Sequence, residues 1–431
     1  MLHALDAATG TESFALIPQA VIPKLEALAS PNYEHQFYVD GPLNLASAYQ
    51  GRWKTVLTGT TGAGAKSVFA LDVSRPGSLD GSSLLWEFND HPDLGYITQP
   101  VEVGVLSNGR WVALFGNGYG SKSGSGTLFM VDLWSGAIIS KVSVPGRDNG
   151  LGGVRVIRDL HNVVVGVYAG DQLGRVWRFE PQGANPMSWK IGLAGKPLFE
   201  APGARPISAT PEYVVHPYGG QMVLVGTGRL ITDGDRTTVD VQALYGLWDK
   251  TPAGQSSDGF ASIASESALV TQTIGARLGS SFYTSSSNPI DWQKHRGWKM
   301  MLSNVTGLRI MSPPQLVRGV VLFEGVTPIP PTGGGSSPCD PDYEGSGYNI
   351  LLNAMFGSPY QQPILDTNGD GTVDSRDSPA SVYRSSADGR DIILLGRKGA
   401  VSIQSSTGHR SLMLGGRKLE RTWRQIMVTP R

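Results

Sequence analysis

The sequence predicts an all-β chain, a modified β-propeller with rim insertions and little helix, and three observations carry that prediction. The first is composition: 56 glycines and 28 prolines in 431 residues punctuate turns and disfavour helix, so the Val, Thr, Trp and Tyr between them read as short strands. The second is repetition. A strand closing in a turn, usually at an acidic residue, recurs as LHALDAATG at 2–10, VFALDVSRPG at 68–77, LFMVDLWSG at 128–136, VWRFEP at 176–181, LYGLWDK at 244–250 and VSIQSSTG at 401–408. The third is the partner strand that precedes most copies: WKTVLTG at 53–59, WVALFGNG at 111–118, VVVGVYAGD at 163–171, MVLVGTG at 222–228, VVLFEG at 320–325 and DIILLG at 391–396. A strand apolar at nearly every position is buried on both faces, as when blades stack around an axis.

The length of 431 residues suits one large all-β unit, so residues 1–431 are read as a single propeller domain. Asp6, Asp72 and Asp132 are spaced more widely than a compact blade requires, which places insertions on the rim. The best helix candidate is IPKLEALAS at 22–30, opened by Pro23 and expected to cap one face. The stretch VTPIPPTGGGSSPCDPDYEGSG at 326–347 interrupts the fifth strand pair and is expected to be a flexible rim loop.

Charged residues make up 17% of the chain and the formal net charge is zero. Nothing global attracts nucleic acid or an anionic membrane. No run of eighteen apolar residues spans a bilayer. The single cysteine, Cys339, excludes an internal disulfide framework. The opening MLHALDAATGTESF has no basic region followed by an apolar core. It is not a signal peptide, and an exported protein with this opening is a piece of a longer chain.

One local motif carries strong chemistry. DTNGDGTVDSRD at 366–377 sets Asp366, Asn368 and Asp370 at positions one, three and five of a twelve-residue calcium loop, with Gly371 at the turn and the Thr372 carbonyl at seven. Asp374 and Asp377 take positions nine and twelve, and Val373 anchors the loop to apolar neighbours. Carboxylates crowded into a dozen residues repel unless a hard cation neutralises them, so Ca²⁺ is the expected ligand. Position twelve is Asp377 where the longer Glu is common, which leaves the coordination number open. Pro379 and a serine cluster follow in place of a second helix, so the loop is read as an insertion in another fold and not as an EF-hand domain.

At these repeats the chain resembles a known family, the type IV pilus tip-associated adhesins of the PilC and PilY type. The opening through SAY at 47–49 is similar to the start of that family's C-terminal domain. WKTVLTGTTGAGAKSVFALDVSRP, WVALFGNGYGS, VYAGDQLGRVWRFE, GTGRLIT, LYGLWDK and DTNGDGTVDSRD follow in the family's order, and GRKLERTWRQI at 416–426 resembles its closing strand. The resemblance covers the whole chain. It implies a propeller of about seven blades, the C-terminal domain of a longer exported protein at the pilus tip or outer-membrane surface. It further implies work with minor pilins in pilus assembly, opposition to retraction, twitching motility, and adhesion to a host or abiotic surface receptor that the sequence does not identify.

Two family features are missing. The segment before the YAGD strand, which in the family commonly carries a second aspartate-rich calcium loop, here reads VRVIRDLHNVVVGVYAGD, with Asp159 its one carboxylate before Asp171 and Arg155, Arg158 and His161 beside it. No calcium site is expected there. The integrin-binding tripeptide RGD is absent, since the chain has GRD at 146–148 and 389–391.

Other motifs read structurally. GTTGAGAKS at 59–67 looks like a phosphate loop, but Ala65 stands where a glycine should precede Lys66 and a strand follows instead of a helix. Asp171 reads as a turn former, and the seven histidines lack zinc spacing. Trp53, Trp111, Trp177, Trp248, Trp298 and Trp423 read as blade packing in preference to a sugar platform. Arg417, Lys418, Arg421 and Arg424 read as a solvated strand face. Two function classes remain: a non-enzymatic binding and regulatory module, and as the alternative a quinone-dependent dehydrogenase-like propeller enzyme. The enzymes of that second class share the turn pattern, but commonly carry an adjacent cysteine pair that one cysteine cannot supply.

Overall fold

A computed structural model describes the chain except residues 204, 280, 329–345, 371, 387–391, 396–400, 406–407 and 413–431. It divides into two units, the first made of Met1–Ala201, Pro206–Pro211 and Thr251–Ser262, the second of Pro202–Arg205, Glu212–Lys250 and Ile263–Arg431.

The first unit holds β1 (Leu2–Leu5), β2 (Glu12–Leu16), β3 (Leu43–Tyr49), β4 (Trp53–Thr60), β5 (Val68–Asp72), β6 (Leu84–Phe88), β7 (Glu102–Val105), β8 (Trp111–Gly116), β9 (Gly126–Asp132) and β10 (Ile138–Val144). Then come β11 (Leu151–Arg158), β12 (Val164–Asp171), β13 (Arg175–Gln182), β14 (Asn185–Ile191) and β15 (Phe199–Glu200). They form the hairpin β1-β2 and three antiparallel meanders, β3 to β6, β7 to β10 and β11 to β14, with β15 pairing β13.

The apolar partner strands lie inside, for the reason their pattern implies. In β8, Val112 and Leu114 face a core shared with Leu151, Val154, Val167 and Trp177, while Ala113 and Phe115 face one shared with Val56, Val68, Ala70 and Trp86. Period-two side chains on a sheet buried on both faces need no polar positions. Each buried large aliphatic or aromatic side chain contributes about 1.5–3 kcal/mol. Polar side chains stitch the inner strands of successive sheets together. Asn44 Nδ2 donates to the Val101 carbonyl at 2.8 Å, and Arg155 Nη1 to Glu102 Oε1 at 2.6 Å.

At Asp6 and Asp132 the recurring acidic residue closes its hairpin as an Asx turn, whereas Glu180 lies inside β13 and accepts from Arg178 Nε and the Ser257 amide. Asp6 Oδ1 accepts from the amides of Ala8 and Thr9 at 3.0 and 2.8 Å, and Asp132 Oδ1 from those of Trp134 and Ser135 at 3.1 and 3.0 Å. Gly136, at φ +71°, completes the turn by returning its amide to the Asp132 carbonyl at 2.9 Å. A side chain there would be strained, which is why the repeat ends in glycine. Asp171, the turn former of YAGD, caps a tighter turn, its Oδ1 accepting from the amides of Leu173 and Arg175 while Gly174 donates to its carbonyl at 3.0 Å.

The helix candidate is a 3₁₀ helix, Gln19–Ala29, with Pro23 inside and Val21 buried. Pro23 has no N–H to give an α-helical ladder, and the start is held by Glu87 of β6, whose carboxylate accepts from the amides of Gln19 and Ala20 at 2.6 and 2.9 Å.

The second unit holds β16 (Glu212–Val215), β17 (Gln221–Gly226), β18 (Ala243–Asp249), β19 (Val270–Gln272), β20 (Ile274–Leu278), β21 (Phe282–Ser285), β22 (Gly297–Met301) and β23 (Arg309–Ile310). It continues with β24 (Gln315–Val317), β25 (Val320–Val326), β26 (Ser346–Asn353), β27 (Val382–Ser386), β28 (Ile392–Leu395), β29 (Val401–Ser405) and β30 (Gly408–Leu412). One sheet runs β16-β17-β18-β22-β19, its last pair parallel. A larger one runs β20-β21-β27-β26-β25-β23 with β24 on β25, and β28 to β30 form a third. Again alternate residues serve two cores: Val321, Phe323, Ile350 and Leu352 pack with Trp298 and Met300, whereas Val320, Leu322 and Leu351 pack with Ile364, Leu365 and Tyr383. β25 and β26 pair from Val320↔Asn353 to Val326↔Gly347. The rim loop expected at 326–347 therefore joins two paired strands, and its residues 329–345 lie outside the described residues.

Trp177, Trp248 and Trp298 are buried as blade packing requires, but Trp53 is 64% exposed. It sits beside Tyr49 and edge-on to Trp111, with centroids 5.7 and 6.2 Å away. Trp53 is paired with Tyr49 in the last rung of the β3–β4 ladder, so a place in a strand did not imply burial. Trp423 and the basic residues Arg417, Lys418, Arg421 and Arg424 lie outside the described residues.

Candidate metal site

Residues 366–377 follow Ile364 and Leu365, which are buried, and end before buried Ala380 and β27. The loop is thus pinned at both ends by the core of the larger sheet. Inside it the sequence builds successive Asx turns, because an Asp or Asn carbonyl oxygen readily captures an amide two or three residues on. Asp366 Oδ1 accepts from the Gly369 amide at 2.7 Å, Asn368 Oδ1 from Asp370 at 2.9 Å, and Asp370 Oδ1 from the Thr372 amide and hydroxyl at 2.9 and 2.6 Å.

Asp377 closes the loop. Its Oδ1 accepts from the amides of Thr367 and Asn368 at 2.7 and 3.2 Å, and its Oδ2 from that of Asp374 at 2.9 Å. Burial works against its charge, but these amides outweigh burial and hold the carboxyl below the usual range.

The positive charge among these oxygens is Arg376. Its Nη2 lies 2.9 Å from Asp370 Oδ2 and 2.7 Å from Asp374 Oδ2. Asp370 is held below its ordinary pKa first by the Thr372 hydroxyl and amide and then by Arg376, and Asp374 by Arg376 itself. The structure therefore brings Asp370 and Asp374 together across a guanidinium and turns Asp366, Asn368 and Asp377 onto amides. Among the described residues no three His, Cys, Asp or Glu side chains converge as a metal cluster. Gly371, the expected turn glycine, lies outside the described residues. The donor types fit a hard cation, since every side chain of the set offers oxygen and the set is crowded enough to recruit a cation of its own. The motif carried no signal for Arg376, because position eleven is not a ligand position.

Two further segments have definite structures. In GTTGAGAKS the Gly64 amide donates to the Thr61 carbonyl at 3.0 Å, the Asp40 carboxylate lies beside the amides of Ala63 and Gly64, and a Cβ on Gly64 would lie 1.9 Å from the Tyr38 carbonyl oxygen. Lys66 donates to the Gly120 carbonyl and lies over the Tyr96 ring at 5.1 Å. The loop's amides face groups of the same chain and its lysine faces a carbonyl. Before the YAGD strand, Asp159 Oδ1 accepts from the amides of His161 and Val163 at 2.8 and 2.9 Å, an ordinary hairpin turn.

Comparison with known proteins places these features. The family model described as the PilY1 beta-propeller domain matches residues 5–287. The chain is 36% identical over 363 residues to a type IV pilus biogenesis factor PilY1 homolog of Xylella fastidiosa, a match over 76% of this chain and 24% of that protein. It is 32% identical over 434 residues to type IV pilus biogenesis factor PilY1 of Pseudomonas aeruginosa strain UCBPP-PA14, over 87% of this chain and 36% of that protein. The matches thus span about a quarter to a third of the length of these relatives. The crystal structure of the Pseudomonas aeruginosa PilY1 C-terminal domain superposes with a TM-score of 0.81 at 29% identity, covering 96% of this chain and 90% of that one.

Proposed function

The chain belongs to the PilY1 β-propeller family, and from that premise we propose that it is the calcium-binding propeller of a type IV pilus biogenesis factor that acts at the pilus tip or outer-membrane surface. The fold is the family's all-β propeller. The observation that carries the functional reading is the likeness to PilY1 biogenesis factors over 87% of the chain. In this reading the propeller works with minor pilins in assembly, limits retraction, supports twitching motility and contributes to surface adhesion. It is a non-enzymatic module, as the names of its relatives support. The decisive experiment replaces the matching C-terminal segment of a full-length Pseudomonas aeruginosa PilY1 with this chain, in cells lacking their own copy. Restored surface pili and twitching support the proposal; export of the chimera with no pili overturns it.

The loop at 366–377 would hold Ca²⁺ through Asp366, Asn368, Asp370, the Thr372 carbonyl, Asp374 and Asp377. The ion would neutralise these carboxylates and order the insertion, stabilising the folded state by mass action. Because Arg376 lies between Asp370 and Asp374, cation and guanidinium compete. Calorimetric titration after chelation should show one site in the wild type, none in Asp370→Ala, and about tenfold tighter binding in Arg376→Gln, since a competitor charge has gone. Unchanged binding in Asp370→Ala would remove the loop from the proposal.

A further inference from the structure

In the second unit, residues far apart in sequence form one aromatic patch. His216 stacks on Trp248 with centroids 4.1 Å apart and meets Trp292 edge-on at 4.5 Å. Tyr218 lies 5.7 Å from His216, and Phe356 lies 6.1 Å from Trp292. His216 and Trp248 are 2% and 5% exposed, whereas Tyr218 and Phe356 are 69% and 41% exposed and Trp292 is half-buried. The stacked pair is the floor, and the other three rings are the surface.

The patch is rich in hydrogen-bond donors. Tyr218 Oη–H, Trp292 Nε1–H and the Lys250 ammonium have no protein acceptor among the described residues. Lys250 Nζ lies 4.5 Å above the Trp248 ring and forms no ion pair among the described residues. Asp291, beside Trp292, is paired with Lys294 at 3.2 Å. His216 adds a fourth donor. Its Nδ1 accepts from the Tyr218 amide at 3.2 Å, so Nε2 carries the ring proton, and this buried atom has no hydrogen-bond partner among the described residues. Burial, with the Lys250 charge adding to it, lowers the imidazole pKa to about 4, so the ring stays neutral and Nε2 stays an N–H donor at neutral pH.

We propose that this patch binds an acidic saccharide, whose pyranose C–H faces lie on Tyr218, Trp292 and Phe356 and whose carboxylate pairs with Lys250. Rings alone would suit any apolar partner. Donors without acceptors select an oxygen-rich ligand, and an unpaired ammonium over an indole selects an anion among those. A buried donor left unpaired costs free energy that a ligand oxygen reached by a small shift of the rings would recover.

The test is titration of the intact chain with tetragalacturonic acid, read by tryptophan fluorescence and by calorimetry, beside cellotetraose and hexaglutamate. The acidic sugar should bind and shift the emission, with the other two at least about tenfold weaker. Tyr218→Ala and Lys250→Gln, both at exposed positions, should each weaken it about tenfold with an unchanged melting curve, and Trp292→Ala more. Equal binding of hexaglutamate would overturn the saccharide class, and equal binding of cellotetraose the acidic one. No binding of tetragalacturonic acid, or binding indifferent to both Tyr218→Ala and Lys250→Gln, would overturn the site.

Discussion

Asp171→Ala should destabilise the first unit by about 3–5 kcal/mol, the range for leaving buried charged and polar partners unpaired. The Asp171 side chain is fully buried, and both its oxygens are committed. Oδ1 accepts from the amides of Leu173 and Arg175 at 3.0 and 2.9 Å. Oδ2 accepts from Arg175 Nε and Trp177 Nε1, both at 2.8 Å, and from Asn149 Nδ2 at 3.1 Å. Alanine would orphan all five donors, among them a guanidinium that is itself 12% exposed. Asn is no rescue: it keeps an acceptor for the two amides but points NH₂ at three donors, so Asp171→Asn should lose most of the same stability. A loss of this size is a large fraction of the roughly 5–15 kcal/mol that holds an ordinary domain together, so the variant should unfold at much lower urea. The control is Asp6→Ala, which removes the same Asx turn at an exposed hairpin and should leave the urea midpoint nearly unmoved. If Asp171→Ala shifted it no further than Asp6→Ala, the buried network would have no special weight.

That contrast also marks where the sequence stops being legible. The repeated aspartates and apolar runs are local signals with a fixed physical meaning, and the hairpins stand where they point. Asp6, Asp132 and Asp171 each cap a hairpin turn with a carboxylate oxygen, yet that turn chemistry alone does not separate the exposed Asp6 from the buried Asp171. Burial of Asp171 depends on Asn149 and Trp177 packing over it. The loop at 366–377 was legible for the same local reason, and its Asx turns arise from neighbours two or three residues away. Arg376 was not, because a guanidinium bridging two carboxylates depends on loop shape. GTTGAGAKS was legible as no phosphate loop from Ala65 and the strand after it, but the Asp40 carboxylate beside the amides of Ala63 and Gly64 comes from well upstream in the chain and was not legible. The aromatic patch joins His216, Trp248, Trp292 and Phe356 from separate segments. No window of sequence contains it.

Arg309 shows the same limit with a comparable expected effect. The sequence LRIMSPP gives it no distinction, yet the structure buries it to 3% exposure and gives its guanidinium five hydrogen bonds. Nε reaches the Gly307 carbonyl at 3.1 Å, Nη1 those of Arg229 and Asp235 at 3.0 and 2.7 Å, and Nη2 the carbonyl and hydroxyl of Thr238 at 2.6 and 3.3 Å. One planar fork therefore satisfies the carbonyls that the 229–238 loop turns inward, while Asp235 Oδ2 takes the amides of Ile231 and Thr232, both at 3.0 Å. Burial lowers the Arg309 pKa, opposed by the Asp235 and Asp240 charges, and the group remains a cation because arginine starts so high. Arg309→Met keeps much of the volume but leaves four carbonyls without their donor, and should cost about 3–5 kcal/mol. Arg309→Lys keeps the charge with three donors in the wrong geometry, so it should recover less than half of that loss. Urea midpoints of the wild type and the two variants, with limited proteolysis at 229–238, distinguish the two contributions. Equal stability of the Arg309→Lys variant and the wild type would mean that charge alone, and not the fork, holds the loop; cleavage confined to 229–238 in Arg309→Met would show that the loop is what the guanidinium secures.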